Sequence, residues 1–330
     1  MLKRTFLFIG LSIAIVACNK VDNPYPENPA AQSGDLDQSL YPGDWQDYLD
    51  NEWPVFSENA NTNRNLLIED FTGHQCKFCP AAAKVAHEIE EDHPGRVFVS
   101  TIHSGPDGAG IFQETKKETE DNADFSYDFT NEIGLTIGIT FGSEGNGGFD
   151  ANPKGTVSRT LSNGIYTYSE SEWSSIANGL IAANDLKVNL QALVNFYDQT
   201  NGGFIHVEID TMDSDVSAED LGIVVAFYHD SIVKPQLFPA FPVNPDYHHS
   251  ADTNYVHRDL LKAHINGSFK GASLSANNRD EENNKYYLDY SFKLGEGDMD
   301  YPATDSHFLV YAMDKETWEI YQVIKVKLKN

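Results

Sequence analysis

Leu66–Pro80 reads LLIEDFTGHQCKFCP. Leu66 to Phe71 is an apolar run of the length of a buried strand. A short polar loop follows, then Cys76-Lys77-Phe78-Cys79, then Pro80, a residue favoured in the first turn of a helix. Beyond it Ala82, Val85, Ala86 and Ile89 fall on one helical face, and His93-Pro94-Gly95 ends the helix. Arg96–Ile102 (RVFVSTI) is the next strand, so this stretch predicts a β-α-β unit with a parallel strand pair.

The cysteine pair sits at the strand-to-helix junction, and that placement matters more than the four-residue pattern. A Cys at a helix N-terminus meets unpaired backbone N–H groups and the positive end of the macrodipole, which favour its thiolate. Lys77 adds to this field. Cys76 is then the attacking sulfur and Cys79 the resolving one, releasing a mixed disulfide. Covalent haem attachment needs a His after the second Cys, and Pro80 stands there. A zinc site would have to recruit His74 and His103, because the chain has no second CxxC. A static disulfide stays open as an alternative, although closing so small a loop gains only about 2 kcal/mol in the chain-entropy model.

The same stretch resembles the thioredoxin superfamily in its buried strand, its acid six residues before the first Cys, and its CxxC opening a helix. More narrowly, EDFTG-x-x-C-x-x-CP resembles the outer-membrane-protein-28 family of lipoproteins from Bacteroidetes. Two further segments agree with that family, Asn152–Arg159 (NPKGTVSR) and Tyr255–Arg258 (YVHR). The resemblance implies that Asp70 is the buried acid assisting the resolving Cys, against an exposed strand-end carboxylate. It implies that Pro153 is a cis-proline presenting substrate backbone to the CxxC, against a trans loop proline. Asn152 departs from the apolar or Thr residue usual before that proline. His103 is a candidate from topology alone: it ends the strand beside the CxxC strand, where ligands of such sheets gather, and is either a base for Cys76 or a satisfied loop His. His87 reads as solvated, and His248-His249 with Asp246 and Asp252 as a polar surface loop.

Outward from this core, Lys3-Arg4 and the apolar stretch to Val16 form a signal peptide over 1–17, ending in Ile15-Val16-Ala17-Cys18. Lipidation of Cys18 is expected, which anchors the chain by acyl groups rather than a spanning helix and removes the one odd thiol among three cysteines. Residues 18–58 are a tether followed by an aromatic packing segment (Tyr41, Trp45, Tyr48, Trp53, Phe56). Residues 59–185 form the thioredoxin-like domain, with an insertion at 105–148 whose polar middle, Phe112 to Phe129, predicts a helix. Ser169–Glu172 fits a capping box ahead of Trp173, Ile176, Ala177 and Leu180. From 186 to 330 the period changes to two over six strands, which predicts an all-β immunoglobulin-like antiparallel sandwich.

A net charge of −27 argues against nucleic-acid and anionic-membrane partners. No cofactor and no metal is expected. The function expected is thiol–disulfide exchange on exported proteins by an outer-membrane-anchored lipoprotein with Cys76, Cys79, Asp70, Pro153 and His103 as its site. The alternative is a surface binding or adhesion lipoprotein using the thioredoxin-like fold as scaffold and the sandwich for partner recognition. Exposure of Cys76, and whether the insertion covers it, separates the two.

Overall fold

The computed structural model describes residues 36–115, 125–142, 148–238, 251–280 and 282–329. The signal peptide, Cys18, most of the tether, two parts of the insertion and His248-His249 lie outside these residues. Among the described residues no helix is long and apolar enough to cross a membrane.

The β-α-β unit forms as its pattern dictates. β1 (Leu66–Thr72) runs parallel to β2 (Val97–His103), with Leu66 opposite Val97 and Thr72 opposite His103. Helix α1 (Cys79–Asp92) joins them, with Pro80 in its first turn. β1 is buried along its whole length, because both of its faces are covered. Leu66 and Ile68 pack with Ala82, Ala86 and Ile89 of α1 and with Trp173 and Ala177. Leu67 and Phe71 point to the other side, against Ile133, Ile137 and Phe141.

Those last three residues belong to α2 (Glu132–Gly142). The helix of the insertion therefore lies after the polar stretch where it was expected; the described residues within 112–129 form none. Its sequence, EIGLTIGITFG, is interrupted by glycine at every fourth position and reads as a loop. The glycines serve close packing instead: a Cβ at Gly138 would sit 2.0 Å from Ser104 Oγ, and one at Gly142 would sit 2.2 Å from the Pro106 carbonyl.

β3 (Lys154–Val157) pairs antiparallel with the other side of β1, and α3 (Glu170–Ala183) follows. The capping box is present, with the Glu172 carboxylate accepting from the Ser169 N–H at 3.0 Å. Beyond residue 185 come β4 (Val188–Tyr197), β5 (Gly202–Thr211), β6 (Leu221–His229), β7 (Leu260–His264), β8 (Lys285–Lys293), β9 (Ser306–Asp314) and β10 (Ile320–Lys327). β4, β5 and β8 form an antiparallel layer with the short strand Arg279–Asp280. The remaining strands complete a mixed sheet in the order β10-β9-β6-β7-β2-β1-β3.

The second half is thus antiparallel and two-layered, as its period predicts, but one of its layers is continuous with the β1–β2 sheet. The junction is narrow: Leu260 pairs with Thr101 in parallel, and the Thr101 N–H donates to the Asp259 carbonyl at 2.8 Å. The expected self-contained sandwich is instead joined strand to strand to the α/β part. Its core, including Val188, Ile205, Val207, Val225, Phe227 and Phe308, fills the space between the two layers. The mixed sheet also curls, so that the Ile320 N–H donates to the Ser158 carbonyl just past the opposite edge strand, at 2.9 Å.

The aromatic segment after the tether packs on the β5 side of the smaller layer. Leu40, Tyr41 and Tyr48 cluster with Phe204, and the Tyr48 hydroxyl meets His206 Nε2 at 2.6 Å. His206 Nδ1 in turn lies 2.6 Å from Asp289 Oδ1, which fixes the segment through a buried polar chain.

Candidate functional site

β1 delivers the chain to Thr72, and the loop 73–78 turns it into α1. Cys76 and Cys79 are joined as a disulfide, with Cα atoms 5.4 Å apart. The Cys76 N–H donates to the Gly73 carbonyl at 2.9 Å, and the Cys79 N–H to the Cys76 carbonyl at 3.2 Å. Each cysteine is only 1% exposed, while Phe78 between them is 59% exposed. The loop therefore shows its aromatic tip to solvent and keeps both sulfurs inside.

Two segments close over it. From the insertion, the Gln113 amide donates to the Thr72 carbonyl at 2.7 Å, the Phe112 carbonyl accepts from the Gln75 N–H at 3.0 Å, and the Glu114 carbonyl lies 2.9 Å from His74 Nε2. From the second half, the Gln236 amide donates to the Cys76 carbonyl at 3.0 Å, and the Leu237 N–H to the His74 carbonyl at 2.8 Å. Gly73 lets the insertion approach this closely, since a Cβ there would lie 2.5 Å from the Phe112 carbonyl.

Asp70 is fully buried, and neither carboxylate oxygen has a hydrogen-bond partner. Burial pushes its pKa up to about 7, opposed by the charge of His87 and assisted by that of Glu170. The Asn152–Pro153 peptide is cis. Lys154 pairs with Phe71, which puts Pro153 beside the end of β1 from which the CxxC loop leaves. Asn152 has a positioning role: its Nδ2 donates to the Ser104 carbonyl at 2.9 Å, and its Oδ1 accepts from Gln113 at 3.2 Å.

His103 ends β2 as expected, and its ring lies among aromatic neighbours. It stacks on Phe129 with centroids 4.3 Å apart, and neither ring nitrogen has a hydrogen-bond partner. His257 lies 5.6 Å from it and His74 6.4 Å, centroid to centroid. Burial, with the neighbouring His257, His74 and Lys262, holds the His103 pKa well below the ordinary imidazole value. Burial likewise lowers His257, to about 3. Neither ring nitrogen of His103 makes a hydrogen bond to Cys76.

A recess of about 300 Å³ adjoins the disulfide. Thr72, Cys79, Pro80 and His87 line one side and Gln236, Phe238 and the Tyr255–Arg258 segment the other. His87, expected to be solvated, is three-quarters buried at this recess: burial lowers its pKa, but Glu90 and Asp259 outweigh that and raise it.

The segments that carried the family resemblance meet in space. Glu69, in EDFTG, accepts from Arg159, in NPKGTVSR, at 2.6 and 2.9 Å, and from the Thr156 hydroxyl at 2.7 Å. Both ionic side chains are buried. The guanidinium also faces the rings of Phe269, Phe141 and Tyr311 at 5.0, 5.4 and 5.6 Å. Ser158 and Arg159 adopt left-handed backbone, with φ of 49° and 48°, which turns Arg159 under the sheet. Glu69 and Arg159, Gln113, Gln236 and the Asp259 surroundings were not singled out by spacing. Arg159 stood in plain view, since a lone cation closing an apolar strand calls for a buried counter-charge.

No family model matches the chain, and no curated protein matches it. Among solved structures it is similar to HBP35 of Porphyromonas gingivalis, with a TM-score of 0.57 at 13% identity over 82% of this chain and 77% of that one. A protein from Agrobacterium tumefaciens aligns over 83% of this chain and 97% of that one, at 10% identity and a TM-score of 0.44. A domain of the outer membrane lipoprotein Omp28 from Porphyromonas gingivalis covers 44% of this chain and 89% of its own length, at 16% identity and a TM-score of 0.26. The first of these likenesses establishes a shared fold.

Proposed function

We propose that this is a lipid-anchored outer-membrane protein, related to the outer-membrane-protein-28 lipoproteins, in which a thioredoxin-like unit serves as scaffold and Cys76–Cys79 is a closed disulfide. The observation carrying this reading is the 1% exposure of Cys76 beneath two hydrogen-bonded segments. A protein disulfide has to approach the attacking sulfur in line, and here the Gln236 and Gln113 segments cover the loop that holds it. Partner recognition then falls to the surface of the second half. The anchor rests on the Ile15-Val16-Ala17-Cys18 string after its basic and apolar segments. Incorporation of labelled palmitate, abolished by Cys18→Ala, tests it.

One observation favours the other reading, thiol–disulfide exchange on exported proteins. Asp70 is a buried, unpartnered carboxyl with a pKa near neutrality, placed on β1 ahead of the pair. Such a group suits proton transfer with a resolving thiol. The reduction potential of the pair, measured by thiol trapping in redox buffers, separates the two. A pair that stays oxidised below about −300 mV is a static disulfide, and one between about −270 and −120 mV is an exchange centre.

A further inference from the structure

We propose that His87, Glu90 and Asp259 form a binding site for a divalent first-row metal ion at the recess beside the disulfide. His87 and Glu90 lie three residues apart on α1 and so share one face of the helix. Asp259 comes from the turn before β7, in the second half of the chain. Its φ of 47° and the bond from the Thr101 N–H to its carbonyl hold that turn against the end of β2. His87 Nδ1 lies 3.5 Å from Glu90 Oε2 and 3.8 Å from Asp259 Oδ2, and the three offered atoms all fall within 4.8 Å of one another. A metal with bonds of about 2.0–2.1 Å spaces tetrahedral ligand atoms by about 3.3 Å, so small side-chain rotations complete the set. The recess that His87 lines, about 300 Å³, has room for water in the remaining positions.

A second group of residues, joined to the first through Asp259, supports this assignment. The other oxygen of Asp259 is held from behind: Lys325 Nζ donates to Oδ1 at 3.2 Å, and His307 Nε2 lies 3.7 Å from it. His307 is 2% exposed and its Nε2 has no hydrogen-bond partner. Asp230 completes this layer, accepting from the Asp259 N–H at 2.8 Å and lying 3.5 Å from His307 Nδ1. One Asp259 oxygen is thus oriented by Lys325 and His307 while the other faces His87 and Glu90, the arrangement by which an outer shell aims a carboxylate ligand. Lys325 lies on the far side of Asp259, and Lys84 and Arg258 line the recess beside His87. An imidazole with two carboxylates suits Zn²⁺ or Mn²⁺ over Ca²⁺. The ion would bridge α1, which carries Cys79, to the strand that joins the two halves of the sheet.

The test is a titration of the chelator-treated, disulfide-intact protein with Zn²⁺ in competition with a chromophoric chelator, and with Co²⁺ read by its visible absorption. The expected result is a single equivalent of tight binding, weakened about tenfold or more by His87→Gln and by Glu90→Gln, each still unfolding cooperatively in urea in the absence of metal. His248→Ala with His249→Ala should leave it unchanged, since that adjacent pair is the competing histidine cluster in the sequence. Absence of saturable binding up to millimolar Zn²⁺ overturns the proposal. So does binding that survives both α1 substitutions, or that is lost in the His248/His249 variant.

Discussion

Asp70→Asn should make the protein more stable, by an amount that grows with pH over a defined window. The carboxyl is fully buried with both oxygens unpartnered, and its pKa is raised from 3.8 to about 7. Between those two values the folded chain holds a proton that the unfolded chain has released. Stability contributed by the protonated form is therefore complete below about pH 4 and is lost as pH rises through about 7. The gap of about three pKa units amounts to about 4 kcal/mol. Asn carries no charge to desolvate, so the variant lacks this penalty at every pH. Its amide meets the same unpartnered surroundings, which costs about 1–3 kcal/mol independently of pH.

The diagnostic quantity is thus the slope, not the offset. Urea unfolding of both proteins, oxidised throughout, should give a stability difference that moves toward the variant by about 1.4 kcal/mol per pH unit between about pH 4 and 7 and is flat above. Protonated His87 stabilises the carboxylate, so its neutralisation by His87→Gln should push the window upward. A difference independent of pH from 4 to 8 would refute the reasoning. It would mean that Asp70 ionises at its ordinary pKa, and the case for a proton-transfer role beside the disulfide would fall with it.

Glu69→Gln should cost about 3–5 kcal/mol in urea unfolding, because it leaves Arg159 charged in the core; Glu69→Leu with Arg159→Met together should cost less than either alone. Gly138→Ala should destabilise by about 1–3 kcal/mol, since the added Cβ would collide with Ser104; a neutral result would show that α2 can move off the sheet. Gln236→Ala removes the bond to the Cys76 carbonyl and should speed reduction of the disulfide by dithiothreitol about fivefold, the equivalent of one hydrogen bond of about 1 kcal/mol. An unchanged rate would mean that the Gln236 segment does not control access.

What was legible in the sequence follows the range of the interactions involved. β1, α1 and β2 are set by periodicity and by Pro80 and His93-Pro94-Gly95, all within one short stretch, and they stand where expected. The six strands of period two are likewise present. Long-range facts were hidden even when their residues were in view. Glu69 and Arg159 lie in two segments already set apart, yet nothing local says that they pair. α2 was masked by Gly134, Gly138 and Gly142, which lower helix propensity, although the last two are required by contact with Ser104 and Pro106. Joining the sheet across residue 185 depends on Leu260 meeting Thr101, at the start of a strand too short to carry a period.

The same distinction governs the disulfide. Cys76-Lys77-Phe78-Cys79 has the same spacing whether it exchanges or not, because the motif specifies the helix terminus and the thiolate's field but not what lies over it. Gln113 and Gln236 lie over it, two glutamines in aperiodic segments 41 residues after Thr72 and 160 residues after Cys76. Each meets the loop through backbone carbonyls, an interaction indifferent to the sequence it contacts. On the proposed reading, a CxxC under such segments keeps the chemistry of its cysteines and loses their access. If Gln236→Ala frees the pair to react while its reduction potential stays put, the lid alone separates this chain from an exchange enzyme. If the potential itself lies below about −300 mV, the disulfide is structural and opening the lid changes nothing of consequence.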